Sequence, residues 1–190
     1  MLKYLILLLF IFACTTPKAA DKVCGNFIKN TNSGEEVYWH KLPVKYSIDP
    51  SVPKEYIPSI EKSMEVWNKV LGVKAFEPST DSVLTIYFFP KWDEDRKIEQ
   101  ARTTVGWYNS IPEKAIIKVN AEFFKFSIKD VPEENTVDFQ SLMIHELGHS
   151  LGLSHVPMET MSVMNPSLFL QLLRRKLYPI DIQSITCRYK

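Results

Sequence analysis

Residues 145–155 read His145-Glu146-Leu147-Gly148-His149-Ser150-Leu151-Gly152-Leu153-Ser154-His155. On a helix, His145 and His149 stand one turn apart on the same face, which suits two imidazoles on one ion. Glu146, beside the first of them, reaches the same space without being a ligand itself. Gly152 lets the backbone turn sharply and brings His155 to a third position. Three neutral imidazoles leave a fourth coordination position open, the arrangement of a catalytic zinc rather than a structural one. The competing reading is an amphipathic helix with incidental histidines. It leaves unexplained why three of the chain's 4 histidines fall in this one window. The remaining one, His40, stands in the aromatic run Tyr38-Trp39-His40 and reads as a packing or surface residue.

The helix that carries the motif is expected over 137–151. Asn135 or Thr136 caps it, Asp138 in its first turn complements the dipole, and Gly152 ends it. Upstream, residues 42–48 alternate apolar and polar side chains from Pro43 onward and read as a half-buried strand. Residues 53–71 read as a helix, with Ile60, Met64, Trp67 and Leu71 on one stripe, Pro53 in the first turn and Gly72 just past the last. A buried strand follows at 83–89 and stops at Pro90. The charged stretch 91–102 reads as a solvated loop. Two strands at 103–108 and 115–119 are joined by a turn around 109–112. The leucine-rich segment 168–177 reads first as core packing, and a last helix is expected over 179–189. There are no internal repeats. This order predicts an α/β (α+β) domain, a twisted sheet with an active-site helix and a C-terminal helix.

The chain has 190 residues, enough for one domain with a sizeable core. With 23 basic against 22 acidic side chains it offers no electrostatic footprint for nucleic acid. Lys3 and the apolar run 4–13 read as a signal peptide within residues 1–20, because the run is too short to span a membrane. Two processing readings stand. Ala13-Cys14 resembles a bacterial lipoprotein site, with Cys14 lipidated and providing the only membrane contact. Alternatively, cleavage falls near Ala19-Ala20 and the protein is simply secreted. Residues 21–36 read as a linker, loosely structured, and 37–190 as the folded domain. Cys24 and Cys187 remain near its two ends. Export favours a bridge between them, with two unrelated thiols as the alternative.

The pattern HExxHxxGxxH at 145–155 resembles that of the metzincin peptidases, and Ser162-Val163-Met164-Asn165-Pro166 resembles the tight methionine turn of their matrixin branch. Met158 and Met161 compete for that role, but only Met164 is followed by the x-Pro of matrixins. The order of elements over 42–89 and the Asp181-Ile182 helix are also similar, so the likeness extends over about 37–190. The resemblance implies a zinc metalloendopeptidase with one catalytic zinc on His145, His149 and His155. Glu146 would be the general base toward a zinc-activated water. Substrates would be proteins or peptides, lying extended along the strand that holds Thr103, Val105 and Tyr108. Pro166, Leu168 and Phe169 would wall a pocket beside the metal, and the enzyme is expected to be a monomer. Two matrixin features are missing: an upstream His/Asp cluster for a second zinc, and a Cys switch or pro-segment. The alternative is a non-catalytic surface lipoprotein, a binding module that kept the peptidase fold.

Overall fold

The computed structural model describes residues 24–190. The apolar leader, Cys14 and the first residues of the 21–36 linker lie outside the described residues.

Strand β1 (Val44–Ile48) opens the sheet. A 3-10 turn at Lys54–Tyr56 leads into helix α1 (Ile57–Leu71), so Pro58, rather than Pro53, occupies the first helical turn. Ile60, Met64, Trp67 and Leu71 form the buried stripe of α1, and Gly72 closes it in the left-handed region. Strands β2 (Phe76–Pro78) and β3 (Leu84–Phe89) follow, with Leu84, Ile86 and Phe88 facing the core. Strands β4 (Ala101–Tyr108) and β5 (Ile111–Asn120) form a hairpin. Its turn residues Asn109 and Ser110 both have positive φ, 48° and 64°, as expected of a two-residue turn that matches the strand twist. A short parallel pair, β6 (Phe126–Ser127) and β7 (Val137–Asp138), precedes helix α2 (Phe139–Ser150), and helix α3 (Pro179–Tyr189) ends the chain.

The main sheet runs β2-β1-β3-β5-β4. Every neighbouring pair is parallel except β4, which runs antiparallel to β5 and forms one edge. Helix α2 packs against β4, β5 and α1. Met143, Ile144, Leu147 and Leu151 are fully buried there. The Trp67 indole N–H donates to the Ile144 carbonyl at 3.1 Å, joining α1 to α2 inside the core. A buried indole costs little when its one polar atom is satisfied in this way.

Four expectations need correction. Asp138, not Asn135 or Thr136, caps α2: its Oδ1 accepts the Ser141 N–H at 2.8 Å. Asn135 is instead held in a turn with φ 60°, and Val137–Asp138 are engaged as β7. The stretch 91–102 is not simply a solvated loop. Trp92 is buried beneath the Arg102 guanidinium, and β4 already begins at Ala101. The segment 168–177 is core only at its ends: Leu168 and Leu177 pack against the core, whereas Phe169 is 70% exposed and Leu173 47%. It is an irregular loop tied down by Arg174, whose guanidinium donates to the carbonyls of Asn165 and Ser167.

The fourth correction concerns the linker, which is ordered from Cys24 onward. Cys24 is disulfide-bonded to Cys187 on α3. Phe27 bridges Leu153, Ile28 N–H donates to the Gly152 carbonyl at 2.8 Å, and Ser154 N–H donates to the Asn26 carbonyl at 2.8 Å. Glu36 is buried and accepts from Lys29, the Cys24 N–H and Arg188. Asn30 and Glu35 both bond Ser110 at the hairpin tip. This strap joins α3, the hairpin and the loop that follows α2.

Candidate metal centre

Helix α2 ends one residue past His149, at Ser150. Gly152 then turns the chain at φ 99°, a conformation that glycine alone adopts cheaply. An added Cβ there would meet the Val37 carbonyl oxygen at 2.2 Å. The turn, seated on the strap by the Asn26 and Ile28 bonds, carries His155 back over α2. The three Nε2 atoms of His145, His149 and His155 lie 3.0–3.2 Å from one another.

The orientation of two rings is fixed from behind. His145 Nδ1–H donates to the Val163 carbonyl and His149 Nδ1–H to the Leu153 carbonyl, each at 2.7 Å. Those bonds set the tautomer that leaves Nε2 with a lone pair facing inward. Burial pushes His145 well below the ordinary imidazole value, an effect the neighbouring His149 reinforces and the Val163 bond opposes. Burial likewise lowers His149 to about 4 and lowers His155. All three rings are therefore neutral donors near pH 7. Lone pairs converging this closely repel one another unless a cation lies between them. Tetrahedral nitrogens on zinc at 2.0–2.1 Å are about 3.3 Å apart, within a few tenths of an ångström of the separations found. The donor set fits zinc.

Met164 is buried, with its sulfur packed against Gly148 of α2. Its turn is clamped by α3: Asp181 accepts from Ser162 Oγ and from the Val163 N–H at 3.0 Å. Since the Val163 carbonyl in turn holds His145, a carboxylate on the last helix fixes that imidazole on α2 through a single residue. Gly148 is the other half of the fit. A Cβ there would lie 2.4 Å from Met164 Sδ and 3.0 Å from Trp67 Cζ2. The sequence marks Asp181 only as part of a helix like that of the matrixins, not as the clamp of this turn, and gives Gly148 no role; Asp181 occupies the third position of a helix that Tyr178 caps.

Glu146 is 3% exposed. Thr103 Oγ1, on β4, donates to Glu146 Oε2 at 2.5 Å and lies 3.1 Å from the Glu146 carbonyl oxygen. Burial pushes the carboxyl up to about 7, against the Thr103 hydrogen bond and with help from the Glu99 charge.

His145, Glu146, His149 and His155 form one wall of a cleft of about 700 Å³. Residues 98–103 at the start of β4 form another wall, and Pro166, Leu168 and Phe169 a third. Thr103, Pro166 and Phe169 thus line one cleft. Val105 and Tyr108 do not line the cleft: Val105 is buried in the core, and Tyr108 is exposed at the hairpin end of β4. His40 lies against Tyr38, outside the cluster.

A search of curated proteins found no match. The family model of matrixin, peptidase M10, matches residues 38–190. That span takes in the whole sheet, α2 with its three histidines, the methionine turn and α3, and on this match, with the fold and the histidine cluster in agreement, the chain belongs to the matrixin family of zinc metallopeptidases.

Proposed function

We propose that the protein is an endopeptidase that hydrolyses internal peptide bonds of extended polypeptides, with zinc held by His145, His149 and His155 and with Glu146 as general base. The observation that carries this reading is the convergence of three neutral Nε2 donors beside a buried carboxylate on the wall of an open cleft. When bound there, zinc supplies Lewis acidity, polarising a carbonyl and acidifying water. Glu146 takes the proton of the attacking water onto its carboxylate and passes it to the departing amine nitrogen. The Val163 and Leu153 carbonyls keep His145 and His149 turned toward the centre throughout. Because β4 is a sheet edge, its outward backbone groups are open to an extended substrate strand, which supports recognition by main-chain pairing. Phe169 and Pro166 would contact side chains on one side of the scissile bond.

The leader at 1–13, together with a disulfide that suits an oxidising compartment, supports export. Lipidation at Cys14 would tether the enzyme to a membrane, whereas cleavage near Ala19-Ala20 would release it. The test is turnover of an unfolded protein with and without a chelator, alongside Glu146→Ala. The variant is expected to keep one zinc per chain and lose proteolysis. Persistent activity in Glu146→Ala, or chelator-insensitive turnover, would refute the assignment.

A further inference from the structure

The base needs more than burial to work. A carboxylate on a flexible side chain reaches its proton productively only if one oxygen faces the reacting atoms in a fixed geometry. Glu146 sits on α2, and nothing in its own helix restrains the end of the side chain. The restraint comes from the sheet. Thr103, near the start of edge strand β4, is half-buried, lines the same cleft and lies 2.5 Å from Glu146 Oε2. Oε1 makes no hydrogen bond among the described residues.

We propose that Thr103 is a positioning residue for Glu146: its hydroxyl fixes Oε2 and so assigns Oε1 to the proton of the attacking water. The inference rests on Glu146 being the general base. The hydroxyl has a second partner within reach, the Glu146 backbone carbonyl at 3.1 Å. While the carboxylate is ionised, Thr103 donates to Oε2. After the proton has arrived on Oε1, Oε2 is the carbonyl oxygen of the acid and still accepts from Thr103, with the backbone carbonyl as a second acceptor for the same hydroxyl. The carboxyl group thus keeps one position through both halves of the cycle, with no proton passing through Thr103. The β-branched Thr suits the edge strand as well, so the same residue supports the sheet and the base.

The test compares Thr103→Val, which keeps the shape and strand preference, with Thr103→Ser, which keeps the hydroxyl. Turnover of fluorescein-labelled casein by the zinc-loaded proteins gives kcat and KM, and metal analysis gives zinc content. We expect kcat of Thr103→Val to fall about 10- to 100-fold, in the range seen when a partner that orients an active group is lost. KM should stay within about threefold, zinc at one per chain, and Thr103→Ser should recover most of the rate. In a Glu146→Gln background, Thr103→Val should cause no further loss. Crystal structures of the wild type and Thr103→Val provide a readout independent of turnover, and should show the Glu146 carboxylate ordered in the first and displaced in the second. A Val variant within twofold of wild type, a Ser variant as poor as Val, or an unmoved carboxylate would overturn the proposal. A wild type without turnover would refute the peptidase reading itself, and the crystallographic comparison would still decide the role of Thr103.

Discussion

Replacing Gly152 with Ala tests whether the strap and the ligand loop are one construction. At φ 99° an L-residue is strained, which costs roughly 1–3 kcal/mol. The new methyl group would lie 2.2 Å from the Val37 carbonyl oxygen and 3.2 Å from a Phe27 ring carbon. The first contact is about 1 Å too close, and its partner is backbone, so no rotamer change relieves it. Val37 is fully buried and its N–H is bonded to the Ile28 carbonyl at 2.8 Å. Relief therefore means moving the strap or moving Gly152, and overpacking of this kind costs about 1–3 kcal/mol more. The total comes to about 4 kcal/mol. Gly152 N–H donates to the His149 carbonyl, and its own carbonyl holds Ile28, so the displacement also reaches the chain between two ligands. Equilibrium urea unfolding of zinc-loaded protein should show the stability loss, and competition with a chelator should show weaker zinc retention. A loss under about 1 kcal/mol with unchanged retention would mean that the loop does not depend on this close packing.

Reducing the Cys24–Cys187 bridge, which spans 163 positions of sequence, should cost up to about 5 kcal/mol in the chain-entropy model. That corresponds to a fall in melting temperature of roughly 10–20 °C for a domain of this size, and calorimetry with and without reductant measures it; a shift under about 2 °C would contradict it. For Glu36, burial raises the carboxyl, but the hydrogen bonds from Arg188, Lys29 and the Cys24 N–H outweigh it and hold the group below its ordinary value of 4.5. A carboxyl lowered on folding lends stability that is present above 4.5 and drains away as pH falls through the lower folded value. Urea midpoints should therefore drop below about pH 4.5, and less steeply in Glu36→Gln; equal slopes would remove Glu36 from that effect.

The histidine cluster, the place of Glu146 beside it, the helical stripe of α1 and the β4–β5 hairpin are legible because each is written in local spacing: four residues for a helix face, two for a strand, a glycine at a sharp turn. Contacts between distant segments carry no such signature. Thr103 and Glu146 are 43 positions apart, and apart from the Cys24–Cys187 bridge, which the cysteine count suggests, the strap owes its order to Ser154 and Ser110, far away in sequence and invisible from residues 24–36. Composition reports how apolar the segment 168–177 is and not which way each side chain faces. Here Arg174 anchors the loop from beneath, by its polar bonds to Asn165 and Ser167, and Phe169 and Leu173 are left outside. Gly148 is illegible for a related reason. A glycine in a helix reads as a cost until its neighbour, the Met164 sulfur, is known.

These contacts bear on what the protein is without its metal. Small zinc domains fold only when the ion binds, because their ligands are held by little else. Here His145 and His149 stand on a helix whose Leu142, Met143, Ile144 and Leu147 are buried in the main core. Val163, which orients His145, is clamped by Asp181. His155 follows a segment bridged to Phe27 and bonded to Asn26. Only this last ligand rests on a loop, and it is also the most exposed of the three. Chelation should therefore leave far-UV circular dichroism unchanged and the unfolding transition cooperative. Stability should then rise with free zinc by simple linkage, reaching about 4 kcal/mol at a thousandfold excess over the dissociation constant. Amide exchange should increase on metal removal mainly over 153–161, between the end of α2 and the methionine turn, with α1 and the sheet little affected. A chain that loses its secondary structure on chelation would show that the ion builds the site, and that the strap, the disulfide and Asp181 do not hold it ready.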